Sequence, residues 1–552
     1  MKNIFLKLSF IIIGSAFFIS GCSDDQQEES DRSYASFLQD SLVVSSSAGA
    51  AIAIVESKAA QWEIVIEDDK GVIANISCMQ GGSLQNKQQF TQIKFYYSEN
   101  ISPEPRFQEI LLLNKTSGER CKLIIKQNSK YSSALLNLYP SVKYQPVAGF
   151  GGMYNPKIWM GQANLITNDE IAKMYDSEGL GYNILRLMVY PNEADWSADV
   201  EGAKLAQQHG ALIIASPWDC TDALAEKINV NNKEFKHLKH ENYQAYAEHL
   251  VRYIHFMKNN GVNLYGISVQ NEPDMDFTYW YPDEIVNFVK EYGEHVRATG
   301  VKLMAPEACG FQPEYTDPIL NDPNAFANTD ILCGHLYQGF IDLGSSYVKA
   351  RHDYICSLYS KLFFSSKPWS WWMTEHLFNE GQDETDPSLW KFQKWSYNLE
   401  NLGKEIHICM EGYCSAYIYW YLKRFYGMIG DNDSRSSVAP GEVTKNGYIM
   451  AHYAQYASNM TRIRVETGNP ELLATAYIND METEITVVLL NMKTADFKVQ
   501  ISSPVTISNV SAVETTEDKN MVKAIAVIAD DKQAASVLIS AQSIVSIRLK
   551  LK

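Results

Sequence analysis

Positive charge is scarce in this chain. Its 552 residues carry 48 Lys and Arg against 65 Asp and Glu, a formal net charge of −17, and no basic run interrupts the excess. Such a chain has no general attraction to nucleic acid or to anionic lipid, so nucleic acid is not expected among its partners. Charged residues make up 20% against 46% apolar, which excludes a mostly disordered chain. The 9 Cys are irregularly spaced with no CxxC pair, so no zinc site is expected. HExxH, a phosphate loop and a Ser-His-Asp signature are also missing, which leaves protease and nucleotide chemistry without support. After the N-terminal segment no uninterrupted apolar run is long enough to span a bilayer. Aromatics are plentiful at 12%, with 11 Trp and 32 Tyr. They suit a large core, and equally faces that stack on sugars.

The first residues read as a targeting segment. Lys2 and Lys7 give a positive start, Leu8 to Ile19 is mostly apolar, and Ser20-Gly21-Cys22 is small. This is too short for a comfortable membrane span and fits a signal peptide over residues 1–21. Ile19-Ser20-Gly21-Cys22 resembles a bacterial lipobox, in which the Cys is lipidated. Asp24-Asp25 and Glu28-Glu29 resemble the acidic export tag of surface lipoproteins in the Bacteroides group. The expectation is a lipid anchor at Cys22, a flexible tether over 22–33, and a place at the cell surface or outer membrane of a Gram-negative bacterium. Export permits disulfides, but several of the other eight Cys sit in apolar strand-like contexts and read as buried thiols.

Three rhythms follow. Residues 34–128 alternate in short stretches such as Ala50–Val55, Trp62–Ile66 and Arg120–Ile125, which predicts a small β-sandwich. Trp62-Glu63-Ile64 and Cys121-Lys122-Leu123-Ile124-Ile125 resemble the BACON domain, an immunoglobulin-like module. Carbohydrate or mucin binding and a spacer role both remain open for it, the spacer being preferred. Over 140–460, eight strand-like stretches alternate with helical ones: Ala148–Gly152, Ile184–Tyr190, Leu212–Ser216, Leu264–Gln270, Lys302–Pro306, Ile331–Leu336, Ser370–Thr374 and Ala416–Tyr421. Helices are expected over Asn242–Asn259, Asp283–Ala298 and Leu389–Lys404. Eight βα units predict a (β/α)8 TIM barrel. Residues 461–552 alternate again and predict a β-sandwich side domain, which the strand Val142–Val147 is placed to join.

In such a barrel, polar residues at the strand C-terminal ends read as active site. Asn271-Glu272-Pro273 ends the fourth strand and Thr374-Glu375 ends the seventh. Strands four and seven face each other across the barrel mouth. Two carboxyls that approach there suit glycoside hydrolysis, one giving a proton to the leaving oxygen and the other, ionised, attacking the sugar carbon. No metal or cofactor is called for.

These residues carry a resemblance. Asn271-Glu272-Pro273 looks like the acid/base motif of clan A glycoside hydrolases, and the stretch from about Tyr144 to Lys552 resembles glycoside hydrolase family 30. Gly149-Phe150-Gly151-Gly152-Met153, Ile184-Leu185-Arg186, Ala215-Ser216-Pro217-Trp218, Asp317-Pro318-Ile319-Leu320-Asn321-Asp322-Pro323, His335-Leu336-Tyr337 and Trp372-Met373-Thr374-Glu375 look like its bacterial glucuronoxylanase branch. The resemblance implies Glu272 as acid/base and Glu375 as nucleophile, Arg186 and His335 as support for the nucleophile, and Asn271 on a sugar hydroxyl. Trp159, Trp218, Tyr337 and Trp420 are expected to stack on xylose. Arg424, with Tyr426 in the same stretch, is expected to bind the carboxylate of a glucuronic acid branch, for which a guanidinium fork is suited. Two segments depart from the branch, His376-Leu377-Phe378-Asn379 and a longer loop from Gly430 to Val443, and both flank the expected branch pocket.

The reading is a monomeric retaining endo-glycosidase acting on β-1,4-xylan, on glucuronoxylan in particular. Its alternatives are another family 30 specificity, plain endo-xylanase or β-1,6-glucanase, and a surface glycan-binding protein without catalysis.

Overall fold

The computed structural model describes residues 33–102, 104–130, 132–157, 165–275, 277–337 and 370–552. The signal peptide, Cys22, most of the tether, Trp159 and Cys356 lie outside the described residues. The chain divides after Lys130 into two compact units.

In the first unit, a four-stranded and a five-stranded sheet face each other. Alternation along Gln89–Tyr97 and Arg106–Asn114 buries every second residue, as a sheet with one solvated face requires. Trp62, Ile93, Phe95, Ile110, Leu112 and Leu123 close the core between the sheets.

The second unit is built on a closed parallel barrel. Its strands are β1 (Gly149–Met153), β2 (Ile184–Val189), β3 (Leu212–Pro217), β4 (Leu264–Ser268), β5 (Lys302–Ala308), β6 (Ile331–His335), β7 (Ser370–Glu375) and β8 (Cys414–Tyr419). The sequence pattern places all eight to within about two residues, since strands buried on both faces read as continuous apolar runs. Ile184, Ile214, Met304, Ile331, Cys333, Trp372, Ala416 and Ile418 fill the barrel floor. Two residues further along, on the same face, come Arg186 on β2, Ser216 on β3 and His335 on β6, which therefore point into the mouth. At Gly151 a Cβ would lie 1.7 Å from the Ile184 carbonyl oxygen, so only glycine permits the β1–β2 approach.

Two irregularities shape the mouth. Pro306 pairs with Cys333 but Ala308 pairs with Gly334, so Glu307 is an extra residue on β5. Gly334 pairs with Met373 but His335 pairs with Glu375, so the β6–β7 register slips just where the polar residues begin. Bulges of this kind re-aim side chains.

Helices Tyr243–Asn259 and Pro282–Arg297 pack outside the barrel, as expected. The helix expected over Leu389–Lys404 differs. Pro387 and Trp390 lie among short turns, the helix starts at Trp395, passes through a wide turn at Leu399–Gly403 and continues to Glu411. A hairpin, Ala225–Val230 with Lys233–Leu238, follows β3. Asn231-Asn232 at its tip takes φ 51 and 65, the conformation that Asn favours in tight hairpins.

The side domain is one ten-stranded sheet that bends over a core of Leu136, Ile463, Leu489, Val499, Val537 and Ile547. Its central strand is Ser132–Val147, which precedes the barrel and pairs with both Met460–Thr467 and Phe497–Ser502. Residues 140–147 thus belong to this sheet, and the barrel proper opens at Gly149. Among the described residues, no helix is long and apolar enough to cross a membrane, and Cys78, Cys121, Cys220, Cys309, Cys333, Cys409 and Cys414 are free thiols.

Candidate active site

Arg186 organises the mouth. Its side chain is fully enclosed, yet its guanidinium reaches Glu375 Oε2 at 2.6 Å, Asn271 Oδ1 at 2.5 Å and Glu307 Oε1 at 3.0 Å. Nε donates to Ser216 at 3.3 Å, and the Trp218 ring covers the group at 4.5 Å. A buried cation of this kind is tolerable only with such partners.

Glu375 accepts from Arg186 on one oxygen and from the Tyr337 hydroxyl on the other, at 2.7 Å. Burial, with the charge of Glu272, holds its carboxyl above the usual range against the pull of His335 and Arg186. Donors at both oxygens are what an ionised carboxylate satisfies.

Glu272 follows β4 at φ 39, and its N–H donates to the Glu307 carbonyl at 3.0 Å. Glu307 has φ 62. Non-glycine residues held in this region cost on the order of 1–3 kcal/mol each and cluster at functional sites. Glu272 Oε1 lies 2.9 Å from His335 Nδ1. Burial raises the Glu272 carboxyl, but the bond and charge of His335, with a donated Cys309 thiol hydrogen and Arg186, bring it below the usual range. Burial alone would lower His335. The charges and hydrogen bonds of Glu375, Glu272 and Glu307 raise it to about 10, so the imidazole is cationic at neutral pH. Glu307 is held at about 2, Arg186 and His335 overcoming its burial. Three carboxyls thus face two cations, with Glu375 alone of the three raised above the usual carboxylate range.

A donor oxygen of Glu272, a ring nitrogen of His335 and an oxygen of Glu375 all lie within 4.8 Å of one another. This is the one three-donor grouping with metal-ligand spacing among the described residues. Glu272 and His335 are already bonded to each other and Glu375 to Arg186 and Tyr337, and the adjacent guanidinium opposes a cation.

The residues expected from sequence are brought together with some changes of part. Glu375, Asn271 and Arg186 form one hydrogen-bonded group, which Glu272 joins through Glu307. His335, expected beside Glu375, makes its direct bond to Glu272 and acts on Glu375 through its charge. Tyr337, expected to stack on sugar, donates its hydroxyl to Glu375. Trp218 is 2% exposed with the Arg186 guanidinium over its ring, so it is more a wall for Arg186 than a platform. Trp420 keeps an 8% exposed rim, packs on Tyr421 with ring centroids 4.0 Å apart, and its indole N–H donates to the Tyr426 hydroxyl. Arg424 lies 5.9 Å from the Tyr426 ring. Its neighbour Lys423 is turned away, paired with Glu170 at 2.9 Å.

Sequence reasoning gave no part to Glu307, to Cys309, or to the pair behind the site, His376 Nδ1 on Glu405 Oε1 at 2.6 Å with the Tyr417 hydroxyl on the same oxygen at 2.7 Å. Glu307 stood at a strand end and carried a signal. Cys309 and Glu405 carried none.

A parallel eight-stranded barrel with two opposed glutamates, an arginine, a histidine and a tyrosine at its mouth defines a glycoside hydrolase. No protein-family model matches the chain. Over 395 residues it is 35% identical to the glucuronoxylanase XynC of Bacillus subtilis (strain 168), covering 69% of this chain and 84% of that one. Among solved structures it resembles a family 30 endoxylanase from Clostridium papyrosolvens C71, at 28% identity and a TM-score of 0.62, covering 76% of this chain and 100% of the other. It also resembles the subfamily 8 xylanase Xyn30A from Clostridium acetobutylicum, at 26% identity and a TM-score of 0.59, covering 76% and 99%. The chain belongs to glycoside hydrolase family 30.

Proposed function

We propose that the protein is a retaining endo-1,4-β-xylanase that acts on glucuronoxylan. The observation that carries the mechanism is the approach of Glu272 and Glu375 oxygens to within 4.8 Å. That agrees with retaining enzymes, whose carboxyls stand about 5–5.5 Å apart, rather than with the roughly 6.5–9.5 Å of inverting ones. The substrate class is supported by the relatives, which are named as xylanases.

In this mechanism Glu375 attacks the anomeric carbon, held ionised by Arg186 and Tyr337. Glu272 protonates the departing oxygen. The proton it needs is already in the pair with His335. Moving it from Nδ1 to Oε1 over 2.9 Å makes Glu272 the neutral acid; once that proton has left on the departing oxygen, the Glu272 carboxylate takes a proton from the attacking water in the second half-reaction and hands it back to His335. Titration belongs to the pair rather than to either member. Asn271, oriented by Arg186 on its Oδ1, is placed for a sugar hydroxyl.

The test is digestion of glucuronoxylan, linear xylan and β-1,6-glucan side by side, with the first-formed anomer read by NMR. β-Configured xylo-oligosaccharides are expected. An α-anomer would overturn the retaining mechanism, and release from β-1,6-glucan alone would overturn the substrate.

We also propose surface delivery through a lipidated Cys22, with the first β-unit as spacer and the enzyme working as a monomer. Incorporation of labelled fatty acid in cells, lost in Cys22→Ala, is the expected result.

A further inference from the structure

We infer that a glucuronic acid branch is accepted but not required, because this chain sets its own carboxylate against the arginine expected to clamp it. The inference rests on the xylanase reading above and concerns the specificity of the same site.

Contacts link this arginine to the reacting centre. The backbone N–H of Trp420 donates to the carbonyl of His376, the residue after Glu375, at 2.9 Å. The Trp420 indole meets Tyr426, and the Arg424 guanidinium lies 5.9 Å from the Tyr426 ring. With Lys423 committed to Glu170, Arg424 is the cation of this stretch beside the centre.

Asp431 lies against it. Its Oδ2 is 4.0 Å from Arg424 Nε, and its side chain is 2% exposed. A backbone N–H, that of Asp433, fixes the other oxygen at 3.0 Å. Asp433 in turn grips Arg435 through two bonds of 2.9 and 2.7 Å, and Arg435 lies 3.8 Å over the Phe425 ring. Arg435 also donates to the Gln382 carbonyl at 3.2 Å, which ties the long loop after β8 to the segment after β7. The long loop, one of the two places where the sequence departs from the glucuronoxylanase pattern, is thus anchored three residues beyond the other, at Gln382. Asp383, Asp431 and Asp433 bring three carboxylates to this corner against the guanidiniums of Arg424 and Arg435.

A uronate that reaches Arg424 shares the guanidinium with Asp431, whose Oδ2 is 4.0 Å from Nε and whose carboxyl is raised by burial against the pull of the Asp433 N–H and Arg424. Attraction and repulsion offset each other, since both act through the same poorly screened surroundings. A neutral xylose backbone forgoes little by leaving the corner empty, because Arg424 keeps a counter-charge. Asp431 is therefore a specificity-determining residue.

The test compares kcat/KM on a linear xylo-oligosaccharide and on the same backbone carrying one glucuronic acid, for wild type and Asp431→Asn. For wild type the two values are expected within about tenfold of each other. Asp431→Asn is expected to raise the branched-to-linear ratio at least fivefold, mostly through KM and less so at high salt. A wild-type preference for the branched substrate above tenfold overturns the inference and leaves the xylanase reading standing. So does a folded Asp431→Asn variant whose ratio moves less than fivefold. If that variant does not fold, the wild-type ratio alone decides. Cleavage of neither substrate overturns the xylanase reading, and this inference with it.

Discussion

The Tyr337 hydroxyl donates to Glu375 Oε1 at 2.7 Å, opposite the oxygen that Arg186 holds. The phenol thus belongs to the electrostatic support of the reacting carboxylate. Tyr337→Phe is expected to lower kcat by about 10²–10³-fold, the usual loss when one preorganised donor is removed, with KM little changed. Steady-state kinetics on xylan oligosaccharides checks this. A raised KM at constant kcat would instead return Tyr337 to a sugar-stacking part.

The two glutamates should separate by leaving group. Glu375→Ala is expected to lose hydrolysis of every substrate by more than about 10³-fold, because no covalent intermediate forms. Glu272→Ala should lose xylan hydrolysis similarly but retain first-step turnover of a dinitrophenyl xylobioside, whose leaving group needs no proton. A burst of dinitrophenol measures the difference.

Stability should fall on the alkaline side through His335. Its folded pKa of about 10 stands above the ordinary value. The stabilisation it brings is therefore complete below about pH 6.5 and is lost as pH rises toward 10. Wild type should show a fall in Tm across that window that His335→Gln lacks, measured by thermal scans at matched ionic strength.

Glu307 acts in the opposite direction. Its pKa is held at about 2, so its contribution is present above the usual glutamate range and disappears as pH falls toward 2. Glu307→Ala strands part of the buried Arg186 charge and is expected to cost about 3–5 kcal/mol, with a weaker acid dependence than wild type. Urea unfolding at pH 7 and pH 3 distinguishes the two.

The barrel strands were legible because their apolar runs are doubly buried, and Glu272 and Glu375 because each closes such a run. The hydroxyl bond of Tyr337 was not legible, for a definable reason. Residue type puts a phenol at the mouth but does not say whether the ring or the hydroxyl faces the reacting atoms. Trp218 likewise reads as a platform until Arg186 is seen to lie over it. Glu307 was marked by its strand end, but its place against Arg186 depends on the extra residue on β5, which changes register without leaving a mark in composition. The hairpin at Ala225–Leu238 and the counter-charge at Asp431 depend on loop paths, which no periodicity encodes.

The strand Ser132–Val147 has a consequence for how the protein comes into being. It is made before the barrel, yet its partners Met460–Thr467 and Phe497–Ser502 emerge from the ribosome only after the barrel has been threaded out. Until then its apolar face waits exposed. The last stretch of chain therefore acts as a clasp, and a version truncated after the barrel, though it would keep every residue of the cleft, should be recovered as aggregate.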